Sequence, residues 1–201
     1  MGPIRLSPTV LGKLHPGIAY LGVTAGWQKV DAAIAEPALL KFVERLWDEE
    51  IIPGFPDSQR LQARTYTGSL LERFRNTSVA HQTAQIAIDG SKRIPLRWLP
   101  SLRVRLANDQ SIDHLSLCVA AWIHFLGAQS DDGGAYVIND PQGARLQALL
   151  QSGSSTDQVW ALLAEASIFA ELGESQRLRA SVVRSLNALR AYGTLAVLQF
   201  H

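Results

Sequence analysis

The sequence predicts a mainly α, multi-helical fold. Three observations carry this: apolar residues recur at helical spacing along most of the 201 residues, one central stretch is apolar on every side, and β-prone runs are scarce. In PALLKFVERLWDEEIIP, the residues Leu39, Leu40, Val43, Leu46, Trp47 and Ile51 predict a helix between two prolines, and SLLERFRN repeats the pattern with Leu70, Leu71 and Phe74. IDHLSLCVAAWIHFLG, with Asp113 near its start and Gly127 past its end, predicts a buried central helix. GARLQALLQ, STDQVWALLAEASIFAELG and SQRLRASVVRSLNALRAYG supply further amphipathic helices. Ser155, Thr156 and Asp157 are N-cap candidates there, and Gly173 and Gly193 are stops. DDGGAYVIND alone pairs turn residues with a β-prone run, which allows one short hairpin near 131–139. Tyr20, Trp27 and Trp47 sit at core-like spacing. With no repeat and no low-complexity linker, residues 1–201 read as a single helical domain.

Composition excludes several functions. An apolar fraction of 47% suits a packed core, and 19 Lys+Arg against 18 Asp+Glu gives no pull toward nucleic acid or an anionic membrane. Cys118 is the only cysteine, so no intrachain disulfide forms and a reducing, cytoplasmic compartment is expected. No apolar run approaches the about 20 residues needed to span a bilayer, and MGPIRLSPTV lacks the apolar core of a signal peptide. No Gly-x-Gly-x-x-Gly or Walker loop marks a nucleotide site, no His-Glu-x-x-His a zinc site, and no Gly-x-Ser-x-Gly a serine hydrolase. Asp131–Asp132 lacks the spaced ligands and closing Glu of a calcium loop and reads as a solvated turn, so no metal is expected.

The informative stretch is HQTAQIAIDGSKRIPLR, residues 81–97, a helical pattern broken at Asp-Gly and followed by cations. Lys92, Arg93, Arg97, Arg103 and Arg105 follow one another without an intervening acid. Pro95 and Pro100 rule out one uninterrupted helix through them. Only Trp98 is interleaved, too little aromatic surface for a nucleic-acid interface. For Arg103 and Arg105 a solvated helix face is the simpler reading, whereas Arg93 and Arg97, four apart, would share a helix face and could grip a carboxylate or vicinal hydroxyls. Asp89 has two readings: the favoured one closes a helix through a left-handed Gly90, and the other braces Lys92 or Arg93 toward a ligand. His15 lies just before an apolar helical run, more often a structural than a catalytic position, with a side chain suited to proton transfer.

HPGIAYLGVTAG, FVERLWDEEIIP, LLERFRNTSVAHQTAQIAIDGSKRIPLR and the late Asn139-Asp140-Pro141, in that order, resemble the C-terminal domain of the mannitol dehydrogenase family, whose members include polyol 2-dehydrogenases and hexuronate reductases. The resemblance implies a helical domain that carries the catalytic groups, with NAD held by an N-terminal Rossmann domain not found in these 201 residues. None is therefore expected bound by this chain alone. The family signature is a Lys as general base, then an Asn and a His that hold and polarise the reacting oxygen. His15 matches the His, while Gly12 stands at the Asn position and Ser7 at the Lys position. The family places a polar or basic residue at Gln85 and a Lys at Arg93, both facing substrate, and Arg for Lys changes the geometry of the grip. The implied ligand is a polyol or a sugar acid held by His15, Gln85, Asp89 and Arg93. The implied partner is a separate NAD-binding chain or a second copy in a homodimer, covering apolar surface near Val10, Leu11, Leu14, Ile18 and Leu21.

Overall fold

The structure is a computed structural model and describes residues 14–75 and 81–201, leaving the side chains of Leu14 and His15 undescribed. The chain order is α1 (Leu14–Thr24), α2 (Val30–Ala35), α3 (Pro37–Arg45), α4 (Asp57–Arg75), α5 (Thr83–Ile86), α6 (Gly90–Arg97), α7 (Leu99–Ala107), α8 (Asp113–Phe125), α9 (Gly143–Ala148), α10 (Ser155–Leu163), α11 (Ala166–Phe169), α12 (Gln176–Tyr192) and α13 (Thr194–Phe200). No named strand occurs among the described residues, and the segment expected as a hairpin closes through one antiparallel bridge, Gln129 with Ala135. Nor is any described helix long and apolar enough to cross a membrane.

The apolar-all-round stretch is the centre of the fold, as its pattern predicts. Helix α8 buries Leu115, Leu117, Val119, Trp122 and Ile123 at 1% exposure or less, packed between α12 on one side and α1 on the other. Each aliphatic side chain among these, withdrawn from water, contributes about 1.5–3 kcal/mol. Cys118 is fully buried there, and burial raises its thiol above the usual range, which leaves it unreactive. Tyr20, Trp47 and half-buried Trp27 join or flank this core. Ile18 and Leu21, expected on an uncovered patch, are 2% and 0% exposed because α1 is sandwiched between α8 and α5; Val10 and Leu11 lie outside the described residues.

Several local expectations shift on inspection of backbone bonding. The helix expected between Pro37 and Pro53 begins as α3, capped by Glu36, then widens into a π-helical turn over Leu46–Ile51 and tightens to 3-10 geometry over Ile52–Gly54. Ser154, one residue before the expected caps, closes the start of α10 in a capping box with Asp157. Gly193 does end α12, at φ 78°, while Gly173 lies inside a 3-10 turn, where an added Cβ would sit 2.0 Å from the Leu163 carbonyl oxygen. Arg103 is solvated and paired with Glu171 at 2.6 Å, but Arg105 is buried, donating to the Ser111 and Glu50 carbonyls. Expecting both on a solvated face was wrong for Arg105, whose guanidinium fills the gap between α7 and the π-helical turn.

Two helices start inside this core with acceptors supplied from elsewhere. Glu50, 1% exposed, receives the His114 and Leu115 N–H groups at 2.9 Å each and so closes the start of α8. Asp131 accepts the Thr194 N–H at 2.6 Å and a His124 Nε2 contact at 3.1 Å, closing α13. Burial alone would raise the Asp131 carboxyl, yet the hydrogen bonds from His124 and Thr194 hold it below the usual carboxylate range. A depressed folded value means stability that is present above the unfolded carboxylate pKa of about 3.9 and is lost as pH falls through the folded value. Asp131→Asn should therefore flatten the acid limb of melting temperature against pH below about pH 4. An unchanged acid limb in thermal melts across pH 2.5–6 would contradict this role.

Candidate functional site

Helix α6 carries the basic residues, and its start is unusual. Asp89, not Gly90, is the left-handed residue, at φ 57°, and Gly90 opens the following helix, so Asp-Gly starts a helix here instead of closing one. The preceding α5 is only one turn long. Gly90 is needed for space, not for its φ: a Cβ there would lie 2.5 Å from Trp122 Nε1 and 2.7 Å from the Tyr20 hydroxyl, both on buried rings. The backbone of α6 thus rests directly on α1 and α8.

The first turn of α6 is gripped from the loop after the bridge. Asp140 Oδ2 accepts the Ser91 N–H at 2.7 Å, and its Oδ1 accepts the Ser91 hydroxyl at 2.6 Å and the Gln142 N–H at 2.9 Å. The Asn139 carbonyl accepts the Asp89 N–H at 3.0 Å. The Asp89 side chain caps nothing, and its carboxylate stands 3.9 Å from Lys92 Nζ in an exposed pair of little energetic weight. It does not brace Arg93, which takes only the Asp89 main-chain oxygen, through its N–H at 2.9 Å.

Arg93 and Arg97 project from α6 one turn apart, as their spacing predicts. Arg93 Nη1 donates to the Ile86 carbonyl at 2.8 Å, tying α6 to the end of α5, and neither arginine makes an ion pair among the described residues. Arg97 is half-buried and has no hydrogen bond there either. Its guanidinium pKa is lowered, first by burial and then by the adjacent Arg93 cation. The two guanidiniums are thus close enough to disfavour one another's charge, and neither is ion-paired among the described residues. Gln85 is exposed on α5, one residue from the carbonyl that Arg93 holds. The His15 side chain lies outside the described residues. Its backbone is in the first turn of α1, where Gly17 comes 3.9 Å, at an added Cβ, from Trp98, the residue after Arg97.

Two features of the site lie beyond what local spacing shows. Tyr20 is fully buried, yet its hydroxyl has no hydrogen-bond partner among the described residues; burial and then the Asp140 charge raise its pKa, so it stays protonated beside α6. Asp140 and Ser91 pair across 49 residues, a contact that no local spacing announces.

Comparisons with known proteins identify the family and the fold. The sequence model for the mannitol dehydrogenase C-terminal domain matches residues 9–190. The chain belongs to that family. D-mannonate oxidoreductase of Escherichia coli (strain K12) is 34% identical over 162 residues, covering 81% of this chain and 33% of that protein. Mannitol dehydrogenase DSF1 of Saccharomyces cerevisiae is 29% identical, covering 92% of this chain and 37% of its own length. The solved Pseudomonas fluorescens mannitol 2-dehydrogenase, a ternary complex with NAD and D-mannitol, superposes with a TM-score of 0.89 at 25% identity, covering 95% of this chain and 39% of that one. The chain therefore spans between a third and two-fifths of the length of these relatives.

The close seating of α6 gives a direct test. Alanine at position 90 would normally favour a helix by up to about 1 kcal/mol, but the overlap with Trp122 and Tyr20 reverses the sign. Gly90→Ala should destabilise by about 1–3 kcal/mol in urea denaturation, and a neutral or stabilising result would show that α6 does not lie where described.

Proposed function

We propose that this chain is the substrate-binding part of an NAD-dependent oxidoreductase acting on a secondary alcohol of a sugar derivative, and that its ligand is a sugar acid. Family membership supports the reaction class. The observation that carries the ligand class is the pair Arg93 and Arg97, which lacks a carboxylate partner among the described residues. A neutral polyol offers hydroxyls that need acceptors as much as donors, whereas two adjacent guanidiniums offer donors and positive charge alone. A sugar carboxylate supplies what they lack, through charge-assisted hydrogen bonds worth about 1.5–3 kcal/mol each.

In this reading each residue has a part. Arg93 and Arg97 hold the carboxylate end, Gln85 and the Asp89 carboxylate reach ligand hydroxyls, and His15 holds the reacting oxygen as the family resemblance implies. The nicotinamide, when bound in a complete enzyme of this kind, supplies the hydride chemistry. It comes from outside these residues, which hold and orient the substrate. A separate NAD-binding chain, or another part of a longer protein, is the partner this requires, with a homodimer as the competing arrangement. A second reading, binding without catalysis, is favoured by Gly12 and Ser7 at the positions where the resemblance expects Asn and the general-base Lys. Loss of a general base costs about 10²–10⁴-fold in rate, and turnover of NAD by this chain would remove that reading.

Titration calorimetry with D-mannonate and D-mannitol separates the ligand classes. The acid should bind and the polyol should bind at least about tenfold more weakly, and Arg93→Ala should remove about tenfold or more of the acid affinity while the chain, short of its Ile86 hydrogen bond, stays folded at the titration temperature. Equal affinity for both ligands, or indifference to Arg93→Ala, would overturn the sugar-acid assignment.

A further inference from the structure

We infer that Asp140 is a positioning residue of the ligand site, acting through Arg93; its effect on binding rests on the sugar-acid reading, its effect on α6 does not. Helix α6 is eight residues long and begins at a left-handed aspartate whose own side chain does not cap it. The capping duty passes to Asp140, which takes both the N–H and the hydroxyl of Ser91 at 2.7 and 2.6 Å, while the neighbouring Asn139 carbonyl takes the Asp89 N–H. Asp140 is itself held by the Gln142 N–H, and its loop is tied down by Tyr136, whose ring stacks on Phe125 at 5.2 Å and whose hydroxyl donates to the Phe125 carbonyl.

The arrangement has two consequences. It frees the Asp89 carboxylate, which an ordinary N-cap would consume, to face Lys92 and solvent. It also fixes the rotation of α6 about its axis, because Gly90 allows no sliding against Tyr20 and Trp122, and the next residue, Ser91, is pinned by Asp140. Rotation of an eight-residue helix decides where Arg93 and Arg97 point. Ser91 and Arg93 are two residues apart on a short helix, so loss of the clasp would let the guanidinium pair splay.

The test is a double-mutant cycle with a ligand-free readout. Asp140→Ala should weaken D-mannonate binding about tenfold. The Asp140→Ala/Arg93→Ala pair should lose clearly less than the product of the two single losses, because the first change acts largely through the second and only the Arg97 contribution is left for it to disturb. Asp140→Asn, which retains one acceptor for Ser91, should recover part of the affinity. Additive losses in the cycle, or Asp140→Ala binding as wild type does, would overturn the inference. Without ligand, Asp140→Ala should raise amide hydrogen exchange at Ser91, Lys92 and Arg93 about tenfold or more while exchange in α8 stays unchanged. Unchanged exchange at these amides would overturn the inference whatever the binding result. If wild type binds no sugar acid yet exchange responds as stated, the sugar-acid reading falls and Asp140 stands as the residue that sets α6.

Discussion

A helix that begins inside a protein leaves N–H groups turned away from water, and each must find an acceptor or forfeit the free energy of an unmade hydrogen bond. Here three such beginnings are closed by carboxylates from distant parts of the chain. Glu50 closes α8, Asp131 closes α13 and Asp140 closes α6. A carboxylate at a helix start also meets the positive end of the helix dipole, so charge and hydrogen bonding act together. The rest of the fold hangs on these closures because α8 is the centre of the core and α6 carries the cations.

Glu50 shows how a buried charge is accommodated. Its side chain is out of water, yet its oxygens face two backbone N–H groups, the Ser111 hydroxyl and His114 Nδ1, while the Arg105 guanidinium donates to its main-chain carbonyl. A buried carboxylate without such partners would cost several kcal/mol. The π-helical turn over Leu46–Ile51 presents Glu50 inward while its neighbour Glu49 faces out to Arg45 at 2.7 Å. The same logic, on a half-exposed scale, positions Asp140 against Ser91.

Much of the helical framework was legible because helices announce themselves through a local period. The apolar surround of α8 and the glycine stop of α12 can be read within a dozen residues. What could not be read was whatever depends on a partner far along the chain. Ser154 with Asp157 is a cap visible in local spacing, missed by a single residue; Asp140 with Ser91 has no such spacing. The Asp-Gly break was recognised as a break, but its direction was not. Whether glycine is there for its φ or for its missing Cβ depends on Tyr20 and Trp122, both distant in sequence. Arg105 looked like Arg103 in composition and differs only in facing Glu50 and Ser111. At the site, the shared face of Arg93 and Arg97 followed from their spacing, and the roles of His15 and Gln85 came from the family resemblance. That neither guanidinium has an ion-pair partner among the described residues required the fold.

The account turns on that pair: a helix locked at its first turn presents two cations that have no ion-pair partner among the described residues. The most direct measurement is a crystal structure of the chain grown with a six-carbon sugar acid. It should show the ligand carboxylate within hydrogen-bond distance of both Arg93 and Arg97, with α6 unmoved and Ser91 still bonded to Asp140. A ligand bound away from α6, or one whose carboxylate faces solvent while its hydroxyls meet the arginines, would contradict it.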